Sequence, residues 1–437
     1  MTSVQPAPRT GAAHRLAALA ADALGGPLPV RLRAWDGSET GPAGAPVVVV
    51  RSRRALRRLL WQPGELGLAQ AYVTGELDIE GDLGDGLRTM WRAARERGRR
   101  PPRLTPADRA RALGTAVRLG VVGPPLPAPA SQARLRGGLH SRVRDRAAIS
   151  HHYDLSNDFY ALLLDDTMAY SCGYWASEEP DFTSAAAQRA KLELVCRKLA
   201  LRPGARLLDI GCGWGSLTLH AAERHGTLVT AVTLAREQAA YVREQVAARG
   251  LTGRVDVVCQ DYRDIAGGGF DAVTSIEMGE HVGDAEYPAF AAALHRLVRP
   301  GGRVLVQQMS RGRTAPGGGP FIEAYIAPDM HMRPLGETTG LLEAAGLEVR
   351  HTESLREHYV RTVAAWHRTL EARWAEFVRL VGAETARVWR LYLVGGALAF
   401  EEGRMGVDQI LSVRPGPEGA SGMPATTRSW YDGLENA

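Results

Sequence analysis

Residues 206–215 read Arg206-Leu-Leu-Asp-Ile-Gly-Cys-Gly-Trp-Gly215, and no other stretch constrains the fold as tightly. The apolar run Arg206 to Ile210 predicts a strand, and Ser216 to Arg224 predicts a helix. A strand that passes into a helix through closely spaced glycines belongs to a doubly wound α/β sheet, where ligands sit at the carboxyl ends of the strands. Glycine at 211, 213 and 215 allows a close backbone approach that side chains would block. The spacing is not G-x-G-x-x-G, so a pyrophosphate is not the expected ligand. Asp209, at the strand end, can orient an amino group instead. The polar stretch Thr233 to Gln238 falls where a ribose would lie, and Gln260-Asp261-Tyr262 falls near an adenine. An amino acid joined to adenosine without phosphate is S-adenosylmethionine.

The same alternation continues on both sides of the loop. Leu228 to Val232, Val255 to Val258, Phe270 to Ile276 and Arg303 to Gln307 predict strands, with a helix over Ala235 to Arg249 and a turn at Pro300-Gly301-Gly302. Length favours more than one domain, since the chain has 437 residues. Residues 1–95 predict a small α+β accessory domain, with a helix over Ala12 to Gly25, strands at Val30 to Ala34 and Val47 to Val50, and a helix over Arg53 to Leu60. Residues 96–148 form an Arg/Pro-rich linker containing a helical segment, and residues 149–437 form the catalytic domain. The linker carries Arg97, Arg99, Arg100 and Arg103, then Arg134, Arg136, Arg142, Arg144 and Arg146. It reads either as a solvated connection or as an electrostatic anchor for an anionic membrane leaflet.

Net charge is +5 with a pI near 9.1, which suits an anionic surface without requiring one. Cys172, Cys196, Cys212 and Cys259 show no CxxC spacing and no clustering with histidine. That pattern argues against a metal site and a disulfide framework, and fits a reducing cytoplasm. No apolar run is long enough to span a bilayer, and the alanine-rich N-terminal stretch lacks the core of a signal peptide.

Five ordered motifs resemble the cyclopropane-fatty-acyl-phospholipid synthase family, which includes the mycolic-acid cyclopropane synthases. They are His151-His-Tyr-Asp-Leu-Ser-Asn-Asp-Phe159, Tyr170-Ser-Cys-Gly-Tyr174, the glycine loop, Glu277-Met-Gly-Glu-His-Val-Gly283 and Glu357-His-Tyr-Val-Arg-Thr362. The resemblance is strong over residues 150–413. It extends more loosely to Gly64-Glu-Leu-Gly-Leu-Ala-Gln-Ala-Tyr-Val-Thr-Gly-Glu-Leu77, which looks like the accessory domain of longer members. Ile326 to Pro334 and Arg387 to Gly396 are similar to the actinobacterial branch that makes 10-methylene and 10-methyl (tuberculostearic-type) fatty acids.

The resemblance implies a class I S-adenosylmethionine-dependent methyltransferase fold with a helical lid over 321–348. Tyr170, Ser171, Asp209, Gly211, Gly213, Gly215, Thr233, Gln238, Asp261 and Tyr262 would bind the cofactor. It further implies a bicarbonate ion held by Cys172, Glu280 and Tyr359, with Gln307 and Met309 where the mycolic-acid branch has His-x-Ile. A cysteine sometimes given as catalytic in the family falls on Gly396, which excludes a thiol nucleophile there.

An isolated alkene is a weak nucleophile, so one-carbon transfer to it needs a close sulfonium and a shielded carbocation. Tyr153, Phe159, Tyr160, Tyr174 and Trp175 are candidate shields, with ordinary core packing as the competing role. Bicarbonate would take the proton. Glu277, three residues before Glu280, could face the same pocket on a helical turn, but a solvent-facing or capping carboxylate is the preferred reading; His281, His358 and the pair His151-His152 are candidate bases for which structural hydrogen-bonding roles are preferred. Met330 and Met332 suit an apolar tunnel, and Trp366, Trp374 and Trp389 suit docking against the lid or a membrane interface. The expected substrate is an unsaturated phospholipid acyl chain at the inner face of the cell membrane. The product is a methylene, with a cyclopropane as the alternative. A reductase that consumes the methylene and self-association are compatible with this reading. A non-lipid substrate such as nucleic acid is a remote alternative, because no interleaved basic and aromatic module accompanies the arginines.

Overall fold

The computed structural model describes residues 11–96, 105–133, 156–312 and 317–437. Both arginine clusters of the linker, and His151, His152 and Tyr153, lie outside the described residues. The chain divides into two compact units. One runs to Gln132 and takes in Gly382–Leu398, and the other holds Ala133–Val381 and Ala399–Ala437.

The first unit is built on a four-stranded sheet in the order β2-β1-β3-β4, from β1 (Arg31–Ala34), β2 (Glu39–Thr40), β3 (Val47–Val50) and β4 (Leu77–Glu80). Four consecutive β-branched valines explain β3, which pairs parallel to β1 and antiparallel to β4. Helices α1 (Ala12–Leu24), α2 (Arg53–Trp61), α3 (Glu65–Val73), α4 (Leu83–Glu96) and α5 (Pro106–Arg118) complete its N-terminal part. Ala13, Leu16, Leu32, Val50, Ala55 and Ala71 form the core. Arg58 is buried and tolerated there because Glu76 accepts from its Nε at 2.8 Å. The segment from Gly382 also belongs to this unit, with the Arg387 guanidinium 4.1 Å from the Tyr72 ring and donating to the Tyr72 and Leu77 carbonyls.

The second unit carries the seven-stranded sheet, in the order β10-β11-β9-β8-β5-β6-β7. Its strands are β5 (Arg206–Ile210), β6 (Leu228–Thr233), β7 (Val255–Cys259), β8 (Phe270–Ile276), β9 (Val298–Ser310), β10 (Glu348–Ser354) and β11 (Gly406–Val413). The β7-β6-β5-β8-β9 stretch is parallel throughout, as the near-continuous apolar runs require. β11 inserts antiparallel to both β9 and β10. The turn expected at Pro300-Gly301-Gly302 is instead a bulge inside β9, where the register with β8 shifts and Gly301 takes φ 73°.

Helices α6 (Asn157–Leu163), α7 (Ser184–Lys198), α8 (Ser216–Arg224), α9 (Arg236–Ala248) and α10 (Tyr287–Leu297) precede an insertion after β9 that holds α11 (Pro320–Tyr325) and α12 (Leu335–Ala344). α13 (Arg356–Ala372) and α14 (Trp374–Glu401) follow, and Gly382, at φ 80°, interrupts α14. Buried Arg333 anchors the insertion: its guanidinium donates to Asp284 Oδ1 and the Val282 carbonyl, 4.2 Å from the Tyr287 ring. No helix among the described residues is long and apolar enough to cross a membrane.

Candidate active site

A cleft of about 1260 Å³, counting its open mouth, lies at the carboxyl ends of β5, β6 and β8. Gly211, Gly213 and Gly215 all have positive φ, at 79°, 54° and 80°. A Cβ on Gly211 would meet Met278 at 3.0 Å, so the loop's bare backbone forms the wall. Tyr170, Ser171, Asp209, Gly211, Gly213, Thr233, Gln238, Asp261 and Tyr262 all line this cleft, and Gly215 opens α8 just beyond it. Asp209 accepts from Thr218 Oγ1 at 2.7 Å and Thr274 Oγ1 at 3.1 Å, while burial raises its pKa. Thr233 donates to Gln238 at 2.9 Å, and Asp261 is held by the Arg263 guanidinium at 2.6 Å. Lys191 also lines the cleft. Although buried, it donates to Ser171 Oγ at 2.9 Å, and desolvation lowers its pKa.

At the inner wall the structure departs from the expectation for Glu277. Its φ is 50°, a left-handed conformation, and the following short turn starts only at Gly279. Helical spacing therefore does not relate Glu277 to Glu280, and the Glu277 side chain turns inward. Its Oε1 accepts from the Cys172 backbone N–H and from Gln307 Nε2, both at 2.8 Å. Its Oε2 accepts from the Tyr359 hydroxyl at 2.6 Å. It is a hub rather than a solvent-facing cap. The Cys172 thiol points elsewhere, toward the Gly173 and Leu355 carbonyls, and burial pushes its pKa well up, so it is no thiolate. Glu280 is fully buried and neither carboxyl oxygen has a hydrogen-bond partner. Desolvation and the nearby Glu277 charge raise its pKa well above normal.

Aromatic rings line up beside this hub. Tyr160 lies 4.2 Å from Trp214 and 5.5 Å from Tyr170, Tyr170 lies 5.2 Å from Trp366, and Tyr359 lies 4.6 Å from Phe400. Phe159 is buried against Phe377 at 5.3 Å, whereas Tyr174 stacks on His358 at 4.6 Å. Trp175 N–H donates to His358 Nδ1 at 2.8 Å, a structural role for that histidine. Burial lowers the His281 pKa to about 4, so its ring is neutral at pH 7. Trp366 and Trp389 are buried and cannot rest at a membrane interface; Met332 is buried and Met330 half-buried.

A family model described as mycolic acid cyclopropane synthetase matches residues 140–410. The chain belongs to that family. As a member of the mycolic acid cyclopropane synthetase family, it is an S-adenosylmethionine-dependent methyltransferase with the class I fold. A Mycobacterium tuberculosis protein named "Probable fatty acid methyltransferase" is 37% identical over 411 residues, covering 92% of this chain and 95% of its own. A tuberculostearic acid methyltransferase of the same organism is 34% identical over 405 residues, covering 89% of each. Among solved structures, a mycolic acid cyclopropane synthase complexed with SAH and CTAB matches with a TM-score of 0.58 and 32% identity, over 61% of this chain and 98% of that one.

The cleft fits the cofactor of the synthetase family: bare backbone at the loop, polar Asp209 and Lys191 at one wall, and Asp261 with Tyr262 at another. The expected bicarbonate does not fit the donor set as it stands, because Cys172 N–H, Gln307 and Tyr359 already hold the Glu277 carboxylate. Sequence reasoning missed Lys191 and Gln188, which donates to the Ser171 carbonyl at 2.7 Å. Polar residues at 188 and 191 on the buried face of α7 were the available signal. Clustering of cysteine with histidine also occurs. Ligand atoms of Cys196, His220 and His225 lie within 4.8 Å of one another, but both imidazoles are engaged by Glu193 Oε2 at 3.2 and 3.0 Å.

Proposed function

We propose that this chain transfers one carbon from S-adenosylmethionine to the cis double bond of an unsaturated phospholipid acyl chain. The favoured product is a 10-methylene chain that a separate reductase can convert to a methyl branch. The observation that carries the reading is a half-buried carboxylate, Glu277, in the wall of the cofactor cleft beside a train of buried aromatic rings. When bound, the cofactor supplies an electrophilic methyl group on a sulfonium.

The chain's own residues meet the remaining demands. Gly211 and Gly213 admit the donor closely, and Ser171, braced by Lys191 and Gln188, shapes the wall by Tyr170. Tyr170 and Trp214 line the cleft and offer electron-rich surfaces to a cation, with Tyr160 and Trp366 packed behind them to keep out water. Cys172, Gln307, Tyr359 and Glu280 complete the proposed catalytic set: two amide donors, a hydroxyl and a buried carboxyl group. Relatives that align along nearly the whole chain are named for fatty acid or tuberculostearic acid methylation, which supports methylene over cyclopropane. Phospholipid substrate supports action at the inner face of the cell membrane.

Mass spectrometry of phospholipid acyl chains from a host expressing this chain and supplied with oleate tests the reading. A CH₂ gain in a chain that still hydrogenates readily is expected. A gain that resists mild hydrogenation replaces methylene with cyclopropane, and no gain removes the lipid assignment.

A further inference from the structure

We infer that the Glu277 carboxylate is the resident anion and proton acceptor of this site, in the position where an exogenous bicarbonate would otherwise sit. The inference rests on the lipid-methylation reading above and names the base that the reading needs. Its warrant is the identity of the donors. The Cys172 amide, the Gln307 side chain and the Tyr359 hydroxyl are the groups expected to hold an anion, and all three converge on one side chain at 2.8, 2.8 and 2.6 Å. Cys172 N–H and Tyr359 O–H each have a single proton to donate, and both are used. A bicarbonate ion would have to break these bonds and then share the site with two carboxyl groups, Glu277 and Glu280.

Two further features fit the role. Among the described residues Glu277 is one of five non-glycine residues with positive φ, at 50°, and that conformation turns its side chain toward the cleft. Its Oε1 accepts two hydrogen bonds and Oε2 only one, which leaves Oε2 an acceptor site for a proton.

The alkene π pair forms the new C–C bond as the C–S bond breaks and its pair stays on sulfur. A hydride shift moves the cationic centre to the carbon bearing the new methyl group. A methyl C–H bond then breaks, its pair becomes the exocyclic C=C bond, and the proton passes to Glu277.

The test uses the full-length enzyme with S-adenosylmethionine and vesicles of dioleoyl phosphatidylglycerol, in buffer stripped of CO₂. Wild-type turnover should stay within about twofold whether or not bicarbonate is restored. Glu277→Gln keeps the shape but cannot take the proton, and should lose at least about a hundredfold. Glu277→Gly suits the positive φ and empties the cradle, so added formate or bicarbonate should restore a measurable part of its rate. Carbon-13 NMR should show labelled bicarbonate binding to Glu277→Gly and not to wild type, and S-adenosylhomocysteine affinity should change less than about threefold in both variants. A wild-type rate that depends on bicarbonate, labelled bicarbonate bound by wild type, or an active Glu277→Gln would each overturn the inference. Should wild type prove inactive on lipid, the lipid reading fails separately, and the bicarbonate-binding comparison still decides what occupies the cradle.

Discussion

The Tyr359 hydroxyl donates to Glu277 Oε2 and favours its ionised form, while burial pushes the other way and leaves the Glu277 pKa raised. Tyr359, Gln307 and the Cys172 amide face this carboxylate, and the Cys172 thiol, Lys191 and Glu280 are near enough to act on it electrostatically. Tyr359→Phe removes a donor to the charged form, so the Glu277 pKa must rise further and its ionised fraction at a given pH must fall. The acid limb of the kcat/KM profile should therefore move to higher pH, and kcat should drop about tenfold or more, with S-adenosylhomocysteine affinity nearly unchanged. An unmoved acid limb would mean that Tyr359 does not act on the base. At this scale the sequence was informative about identity and uninformative about direction. Tyr359, Cys172 and Gln307 could be picked from their motifs, but the inward turn of Glu277 depends on a single backbone dihedral that no residue pattern encodes. A carboxylate in a polar-looking segment reads as exposed until its donors, distant in sequence, are seen around it.

Strand register supplies the next level of control. Across β10, β11 and β9 the register places Glu353 opposite Gln409 and Gln409 opposite Gln307, a continuous row ending at the hub. Lys198, at the end of α7, donates to Gln409 Oε1 at 2.7 Å and pairs with Glu353. Gln409 Nε2 donates to Gln307 Oε1 at 2.9 Å, and Gln307 Nε2 in turn donates to Glu277. An ammonium can only donate and an ionised carboxylate can only accept, so the two ends fix the orientation of both amides between them. Lys198 is thus a positioning residue, remote from the cleft. Lys198→Met should free both amides to flip and present the Gln307 carbonyl to Glu277. The expected result is a several-fold lower kcat with unchanged KM and an acid limb displaced upward, whereas Lys198→Arg should recover much of the loss. A purely structural lysine would lower the melting temperature without moving the pH profile. None of this row could be read from β11 in isolation, because Gln409 acquires meaning only when an antiparallel strand is inserted between β9 and β10.

For the molecule as a whole, the parallel half of the sheet was legible because buried parallel strands are short and mostly apolar, and Arg206–Ile210, Leu228–Thr233 and Phe270–Ile276 are such segments, alternating with helical ones. The assignment of Gly382–Leu398 to the first unit was not legible, because helical periodicity reports an apolar face without naming what covers it. Charge acts at this largest scale. A net charge of +5 and the arginines at 134, 136, 142, 144 and 146, which lie outside the described residues, bear on how a protein with no apolar spanning helix among its described residues would meet the proposed lipid substrate. Each cation near an anionic leaflet contributes about 1 kcal/mol, and salt screens that attraction over about 10 Å at 0.1 M. The full chain should therefore sediment with phosphatidylglycerol vesicles, do so weakly with phosphatidylcholine alone, and release as salt is raised from about 0.05 to 0.5 M. Replacing those five arginines with glutamine should weaken vesicle binding by at least about tenfold while turnover on detergent-dispersed lipid persists. Equal binding to neutral vesicles, or binding indifferent to salt, would assign the basic segment to a solvated connection and leave acyl-chain capture to the apolar surfaces of the catalytic unit.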